Sequence, residues 1–119
     1  MDVNNLDVFI RSYMTCALCS EGAGELEYLD EEYTIEDFAE EAVGMIINDC
    51  NLFRERCKHL LTHIDDACAG HDFWLTRNRH GAGFWDRGLG EIGIALTKEA
   101  QSFKECCLYI GVDGKIHIM

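Results

Sequence analysis

HDFWLTRNRHGAGFWDRGLG, His71 to Gly90, is the stretch on which the fold of this chain turns. It brings together two aromatic pairs, Phe73–Trp74 and Phe84–Trp85, three arginines and four glycines. Asp72 to Arg77 and Ala82 to Trp85 are expected as two short strands around a turn at Asn78 to Gly81, although an irregular loop fits almost as well. If exposed, Trp74, Arg77, Arg79 and Trp85 would form a stacking and cation-π platform for a partner. If buried, the aromatic pairs would be a second core joining the helices to the sheet.

Working outward on the N-terminal side, Ile35, Phe38, Ala42, Ile46, Cys50, Phe53, Cys57, Leu60 and Ile64 keep one face apolar at helical spacing. One long core helix of about eight turns is therefore expected over residues 35 to 64. Thr34 and Asp37 resemble a capping box at its start. Leu6, Phe9, Ile10, Tyr13, Met14, Ala17 and Leu18 predict an amphipathic helix over residues 5 to 20, with Asn4 or Asn5 as its cap. Between the two helices, SEGAGELEYLDEEY has glycines, charges and no period, and reads as a connector.

On the C-terminal side, Ile92, Leu96, Ala100 and Phe103 give helical spacing over residues 89 to 104, weakened by Gly93. Residues 107 to 119 alternate as a strand, turn at Asp113-Gly114, and return through Ile116 and Ile118, which is a strong hairpin signal. The expected fold class is α+β, with residues 1–119 as a single domain. Two N-terminal amphipathic helices and a third shorter helix would pack on a small antiparallel sheet that ends in a C-terminal hairpin.

The 119-residue chain carries a net charge of −12, and the charge is unevenly placed. Residues 1 to 66 hold 16 acidic side chains against 4 basic ones, whereas residues 67 to 119 hold 6 of each. The densest part runs from Glu21 to Glu41 and contains Glu21, Glu25, Glu27, Asp30, Glu31, Glu32, Glu36, Asp37, Glu40 and Glu41 with no basic residue between them. Such a field repels nucleic acid and membrane surfaces and attracts basic partners. On a helix, ten charges over 21 residues would fall roughly 3 Å apart, close to the phosphate spacing of about 3.4 Å along a DNA strand. The bland alternative is a solvated face that keeps the protein soluble. The seven cysteines, at 16, 19, 50, 57, 68, 106 and 107, are odd in number and mostly fall on apolar faces. They point to a reducing cytoplasm rather than a disulfide framework, and no apolar run approaches the length of a membrane span.

Other motifs compete with simpler roles. His59 and His63 are spaced as two ligands on a metal-binding helix, with a third ligand conceivable from Asp66, Cys68 or His71, but the intervening glutamate of a zinc protease is missing. Cys16 and Cys19 form a C-x-x-C inside the first helix, away from the strand-to-helix turn of a redox pair. The Gly81–Gly83 and Gly88–Gly90 pairs lack the remaining residues of a phosphate cradle. His71, Asp72, His80 and Asp86 could converge as acid and base, with Cys68 as a nucleophile, or could simply cap backbone groups. No catalytic residue, metal ligand or cofactor is assigned on this basis.

The segment GHDFWLTRNRHGAGFWDRGLG, with YTIEDFAEEAVGMIINDC before it and LYIGVDGKIHI after it, resembles a group of small acidic proteins of bacteriophages and mobile elements that share an HDFWLTRNxHGAGFWDRG block. The resemblance spans Tyr33 to Met119. It implies a phage or plasmid context and carries over no catalytic residue. Arg79 stands where a glycine is expected in this pattern.

The leading expectation is a non-enzymatic inhibitor in a bacterial cytoplasm. It would bind a host protein with a basic nucleic-acid-binding groove, of the CRISPR-effector or restriction-enzyme kind. The contact residues expected are Glu25, Glu27, Asp30, Glu31, Glu32, Glu36, Asp37, Glu40 and Glu41, with Trp74, Arg77, Arg79 and Trp85. No direct contact with nucleic acid or membrane is expected, and a homodimer is compatible with the sequence. The alternatives are a small metal-assisted or acid-base enzyme centred on His71 to Asp86, and an interaction module using the aromatic block.

Overall fold

A computed structural model describes residues Asp2–Met119. Helices α1 (Val8–Ser20), α2 (Glu40–Arg56), α3 (Asp66–Arg77) and α4 (Glu91–Gln101) precede an antiparallel hairpin of β1 (Leu108–Ile110) and β2 (Ile116–Ile118). The architecture is mixed α+β, with several helices packed against a small C-terminal two-stranded hairpin.

The first helix starts three residues later than expected. Asp2 caps a 3-10 turn over Val3–Asn5. Asp7, not Asn4 or Asn5, then caps α1, its carboxylate accepting the Ile10 N–H at 3.0 Å. Asn4 and Asn5 are taken up in the 3-10 turn, and the carboxylate of Asp7, immediately before Val8, is both a good cap acceptor and a negative charge at the positive end of the helix.

The single long helix expected over residues 35 to 64 is broken at both ends. The capping box forms, with the Thr34 N–H donating to Asp37 Oδ2 at 2.8 Å, but it closes a 3-10 turn at Ile35–Asp37. Phe38 and Ala39 then go extended, and the Ala39 N–H donates to the carbonyl of Ile116 in β2 at 2.8 Å. An amide bonded to the hairpin cannot also serve the helix, so α2 begins only at Glu40. After Arg56 the chain turns through Cys57–His63, with the N–H groups of Leu60 and Leu61 both directed at the Cys57 carbonyl. Basic side chains at Arg54 and Arg56 suit the negative end of α2.

The block expected to form two strands is largely helical. Asp65 accepts the Cys68 N–H and caps α3, which runs straight through Asp72–Arg77, and Phe84–Asp86 forms a 3-10 turn. Ala69, Phe73, Trp74 and Arg77 recur at helical spacing and all are buried, so the period of the interior face is that of a helix. The core this creates is aromatic. Phe53 of α2 stacks on Phe73 of α3 with ring centroids 4.1 Å apart and planes 7° from parallel, and Phe84 stacks on Phe53 at 5.8 Å. Phe103 closes edge-on against Phe73 at 5.1 Å.

Helices α1 and α3 form the closest helix pair, and Gly70 permits it. A Cβ at Gly70 would overlap the carbonyl oxygen of Phe9, which is backbone and cannot swing away. Gly70→Ala should therefore force the helices apart and cost about 1–3 kcal/mol or more, the usual penalty for overpacking a tight core. Urea unfolding of the variant measures it directly, and a midpoint within error of wild type would show that the two helices are not held this closely.

In the hairpin, Leu108 pairs with Ile118, Tyr109 with His117 and Ile110 with Ile116, and Gly114 supplies the left-handed turn residue at φ +77°. Ile116 is fully buried and bridges to Phe38, which ties the end of the chain to the entrance of α2.

Candidate functional site

The His71–Gly90 block proves to be a lock between elements rather than a platform. Trp74 is fully buried, packs edge-on against Tyr13 at 5.3 Å, and donates its indole N–H to Ser20 Oγ at 2.8 Å. Arg77 is also buried, and reaches Asp49 of α2, the Tyr13 hydroxyl of α1 and the carbonyls of Phe103 and Lys104. Thr76 Oγ1 accepts the Phe84 N–H at 3.1 Å, and a side chain at Gly83 would overlap that hydroxyl. Asn78 donates to the Trp74 carbonyl and accepts the Cys106 N–H at 2.8 Å.

Trp74 and Arg77, expected as contact residues, are therefore corrected to core: neither has surface to offer a partner. Arg79 and Trp85 do remain outside. Arg79 has φ +57°, a left-handed backbone that glycine adopts freely, and its guanidinium lies 4.0 Å from Glu105. Trp85 is 53% exposed.

The acid-base alternative is not assembled. An open groove of about 620 Å³ between α1, α3 and the segment that precedes α4 is lined by Ser12, Ile64, Cys68, His71, Asp72 and Arg87. Arg87 holds both oxygens of Asp72, at 2.8 and 3.0 Å, and His71 Nδ1 stands 3.4 Å from the same carboxylate. Both oxygens of that carboxylate are thus already engaged by a guanidinium in a charge-assisted fork. His80 lies instead 3.0 Å from Glu21, and Asp86 does not line the groove. The metal version loses its helical premise, because His59 and His63 are exposed on the turns after α2. Among the described residues, no group of three His, Cys, Asp or Glu side chains is arranged to hold a metal ion.

The cysteines divide more evenly than their spacing suggests. Cys16, Cys50 and Cys57 are buried, while Cys19, Cys68 and Cys107 are exposed. Burial, reinforced by the neighbouring Cys19 and Asp72, pushes the Cys16 thiol up to about 12. This is the opposite of what an attacking thiolate in a C-x-x-C pair needs. Among the described residues no helix is long and apolar enough to cross a membrane.

The acidic segment is irregular where a helical row was considered. Its residues pass through a turn at Ala23–Leu26 and 3-10 turns at Leu29–Glu31 and Ile35–Asp37, and only Glu40 and Glu41 stand on an α-helix. A regular 3 Å spacing of charges along a helix therefore does not exist.

Some of the carboxylates have local duties. Glu31 accepts the Tyr28 N–H at 3.0 Å, Asp37 closes the Thr34 box, Glu36 accepts from Asn4 Nδ2 at 3.0 Å, and Glu21 meets His80. Glu25, Glu27, Asp30, Glu32, Glu40 and Glu41 are exposed, and none of their carboxylates has a hydrogen-bond or ion-pair partner among the described residues. Two tyrosines that the sequence did not single out, Tyr33 and Tyr109, stand against this loop. They are far apart in the chain, so no local pattern announces their meeting.

In comparisons with protein-family models, curated proteins and solved structures, nothing matches this chain.

Proposed function

We propose that the protein is a non-enzymatic inhibitor of the phage type, which binds a nucleic-acid-handling defence protein by presenting its acidic face to that protein's cationic groove. The observation that carries this reading is the imbalance of pairing. Arg54 pairs with Asp7, Arg77 with Asp49, Arg87 with Asp72 and Arg79 with Glu105, all of them acids outside the Glu21–Glu41 run. Among the described residues no lysine or arginine forms an ion pair with any of the ten carboxylates inside it.

Uncompensated charge of one sign sets up a field that steers a cationic surface and is screened over about 10 Å at 0.1 M salt. The irregular backbone replaces a close copy of DNA geometry with a coarser electrostatic match. Such a match gives encounter rate and partner choice more than raw affinity.

The test is inhibition of DNA cleavage by a panel of purified CRISPR effectors and restriction nucleases. One variant joins Glu25→Gln, Glu27→Gln, Asp30→Asn, Glu32→Gln, Glu40→Gln and Glu41→Gln, and leaves Glu21, Glu31, Glu36 and Asp37 with their local bonds. With individual exposed pairs contributing about 0.2–1 kcal/mol, the sixfold variant should inhibit at least roughly tenfold less well. Wild-type inhibition should also weaken as salt is raised. An inhibitor indifferent to both changes, or no inhibition across the panel, would sink the proposal.

A further inference from the structure

The acidic loop and the hairpin meet along an open groove of about 730 Å³, walled by Glu25, Leu26, Glu32, Tyr33, Tyr109 and Ile110. The loop side is held in place by its backbone. Leu29 is fully buried and its N–H donates to the Glu21 carbonyl at 2.8 Å, the Tyr33 N–H donates to Leu29 O at 2.9 Å, and the Leu26 N–H closes the turn onto Ala23 O at 3.0 Å. The hairpin side is braced as well. Tyr109 stacks on His117 with ring centroids 5.3 Å apart and planes 21° from parallel, and His117 Nε2 lies 3.0 and 3.1 Å from the two oxygens of Asp113. Any charge on His117 is thus answered by Asp113 and not by the groove. Tyr109 keeps 41% of its surface open.

We infer that this groove binds a guanidinium cation, presented as an arginine side chain by a protein partner. Tyr33, Tyr109, Glu25 and Glu32 line one groove, and neither Glu25 nor Glu32 has a hydrogen-bond or ion-pair partner among the described residues. A cation near the face of a tyrosine is attracted by the ring quadrupole. Carboxylates add charge-assisted hydrogen bonds, and the planar fork of a guanidinium serves both at once. Leu26 and Ile110 make part of the wall apolar, which suits a weakly hydrated guanidinium better than a strongly hydrated ammonium. The site deepens the proposed function and rests on it in one respect: it takes the acidic face to be where a protein docks.

The experiment is an NMR titration of the whole protein with three peptides, acetyl-Gly-Arg-Gly-amide, its lysine counterpart, and its citrulline counterpart, which keeps the shape of arginine without the charge. Saturable shifts are expected with the arginine peptide at Tyr33, Tyr109, Glu25 and Glu32. Binding should be about two- to fivefold weaker with lysine, as the loss of ring stacking would give, and absent with citrulline. Joint Glu25→Gln and Glu32→Gln, both at exposed positions, should weaken arginine binding about fivefold, and Tyr109→Leu about two- to fivefold. Joint Glu40→Gln and Glu41→Gln should leave it unchanged. Amide dispersion reports that each variant is folded.

Shifts that spread evenly over the acidic residues without saturating would overturn the site. So would equal binding of the citrulline peptide, or indifference to the Glu25 and Glu32 changes. Saturable arginine binding with no nuclease inhibited would keep the site and remove the proposed function. Inhibition that depends on Glu40 and Glu41, with no saturable arginine binding, would do the reverse.

Discussion

Arg77→Leu is expected to lower the stability of the fold by about 3 kcal/mol, the largest loss from any single polar side chain in the core. Arg77 of α3 is 5% exposed, the one buried cation among the described residues, and it bonds to groups of α1, α2 and the turn after α4. Its Nη1 donates to Asp49 Oδ2 at 2.8 Å and to the Tyr13 hydroxyl at 3.2 Å. Its Nη2 donates to the Phe103 carbonyl at 2.9 Å and its Nε to the Lys104 carbonyl at 3.0 Å. Lys104 itself has φ +66°, so those carbonyls belong to a turn that the guanidinium holds in place.

Leucine leaves a carboxylate, a phenol and two carbonyls without their donor. Breaking a buried pair by removing one partner costs about 3–5 kcal/mol. The Asp49 side chain is 30% exposed and can recover some hydration, which favours the lower end of that range. Against a total stability of about 5–15 kcal/mol for an ordinary domain, even the lower figure is a large share. Arg77→Lys should recover only part of the loss, because an ammonium cannot span four acceptors in a plane. Urea midpoints of the two variants measure the effect. A loss below about 1 kcal/mol for leucine would show that the network does not hold the elements together.

The two tryptophans should behave in opposite ways. Trp74→Ala removes a fully buried indole, its edge-on contact with Tyr13 and its hydrogen bond to Ser20, and should cost about 3–5 kcal/mol. Trp85→Ala removes a half-exposed ring and should stay within about 0.5 kcal/mol. Trp74→Phe separates the terms, since most of the apolar volume remains. Ser20 Oγ keeps its bond to the Cys16 carbonyl at 2.7 Å, so the hydroxyl is not left without a partner and the loss should be intermediate. Thermal unfolding by circular dichroism, with tryptophan emission as a second probe, ranks the three. Equal losses at positions 74 and 85 would contradict the burial described above.

Features that depend on a few adjacent residues were legible in the sequence. Asp113-Gly114 between alternating apolar residues marked the hairpin, because a tight turn requires a left-handed residue there and glycine supplies it. One apolar face announced a helix over residues 5 to 20, and α1 forms over Val8–Ser20. Thr34 and Asp37 announced a capping box, and the box formed. The mixed α+β class followed from these pieces. Gly93, by contrast, looked like a weakness in α4 but is buried against the Phe84 carbonyl, where a Cβ would come within 2.9 Å. Its role depends on a neighbour that no helical period reveals.

The candidate site was legible in its charge and not in its shape. Ten crowded acids with no interspersed base are visible at once, and among the described residues no lysine or arginine pairs with them, Arg54, Arg77, Arg79 and Arg87 being engaged elsewhere. The groove beside them was not visible, since Tyr33 and Tyr109 come from opposite parts of the chain. The aromatic block was visible but ambiguous. FWLTR and GFWDR look alike as strings, yet Phe73, Trp74 and Phe84 turn inward while Trp85 turns out.

The amino-acid sequence by itself determined the acidic imbalance, the hairpin and the local caps, because charge, turn preference and capping act over a few residues. Tertiary structure alone decided where α2 begins, since the amide of Ala39 takes its acceptor from Ile116 far along the chain. It alone also decided that His71–Gly90 would lock the helices together, because burial of Trp74 and Arg77 depends on partners supplied by α1 and α2.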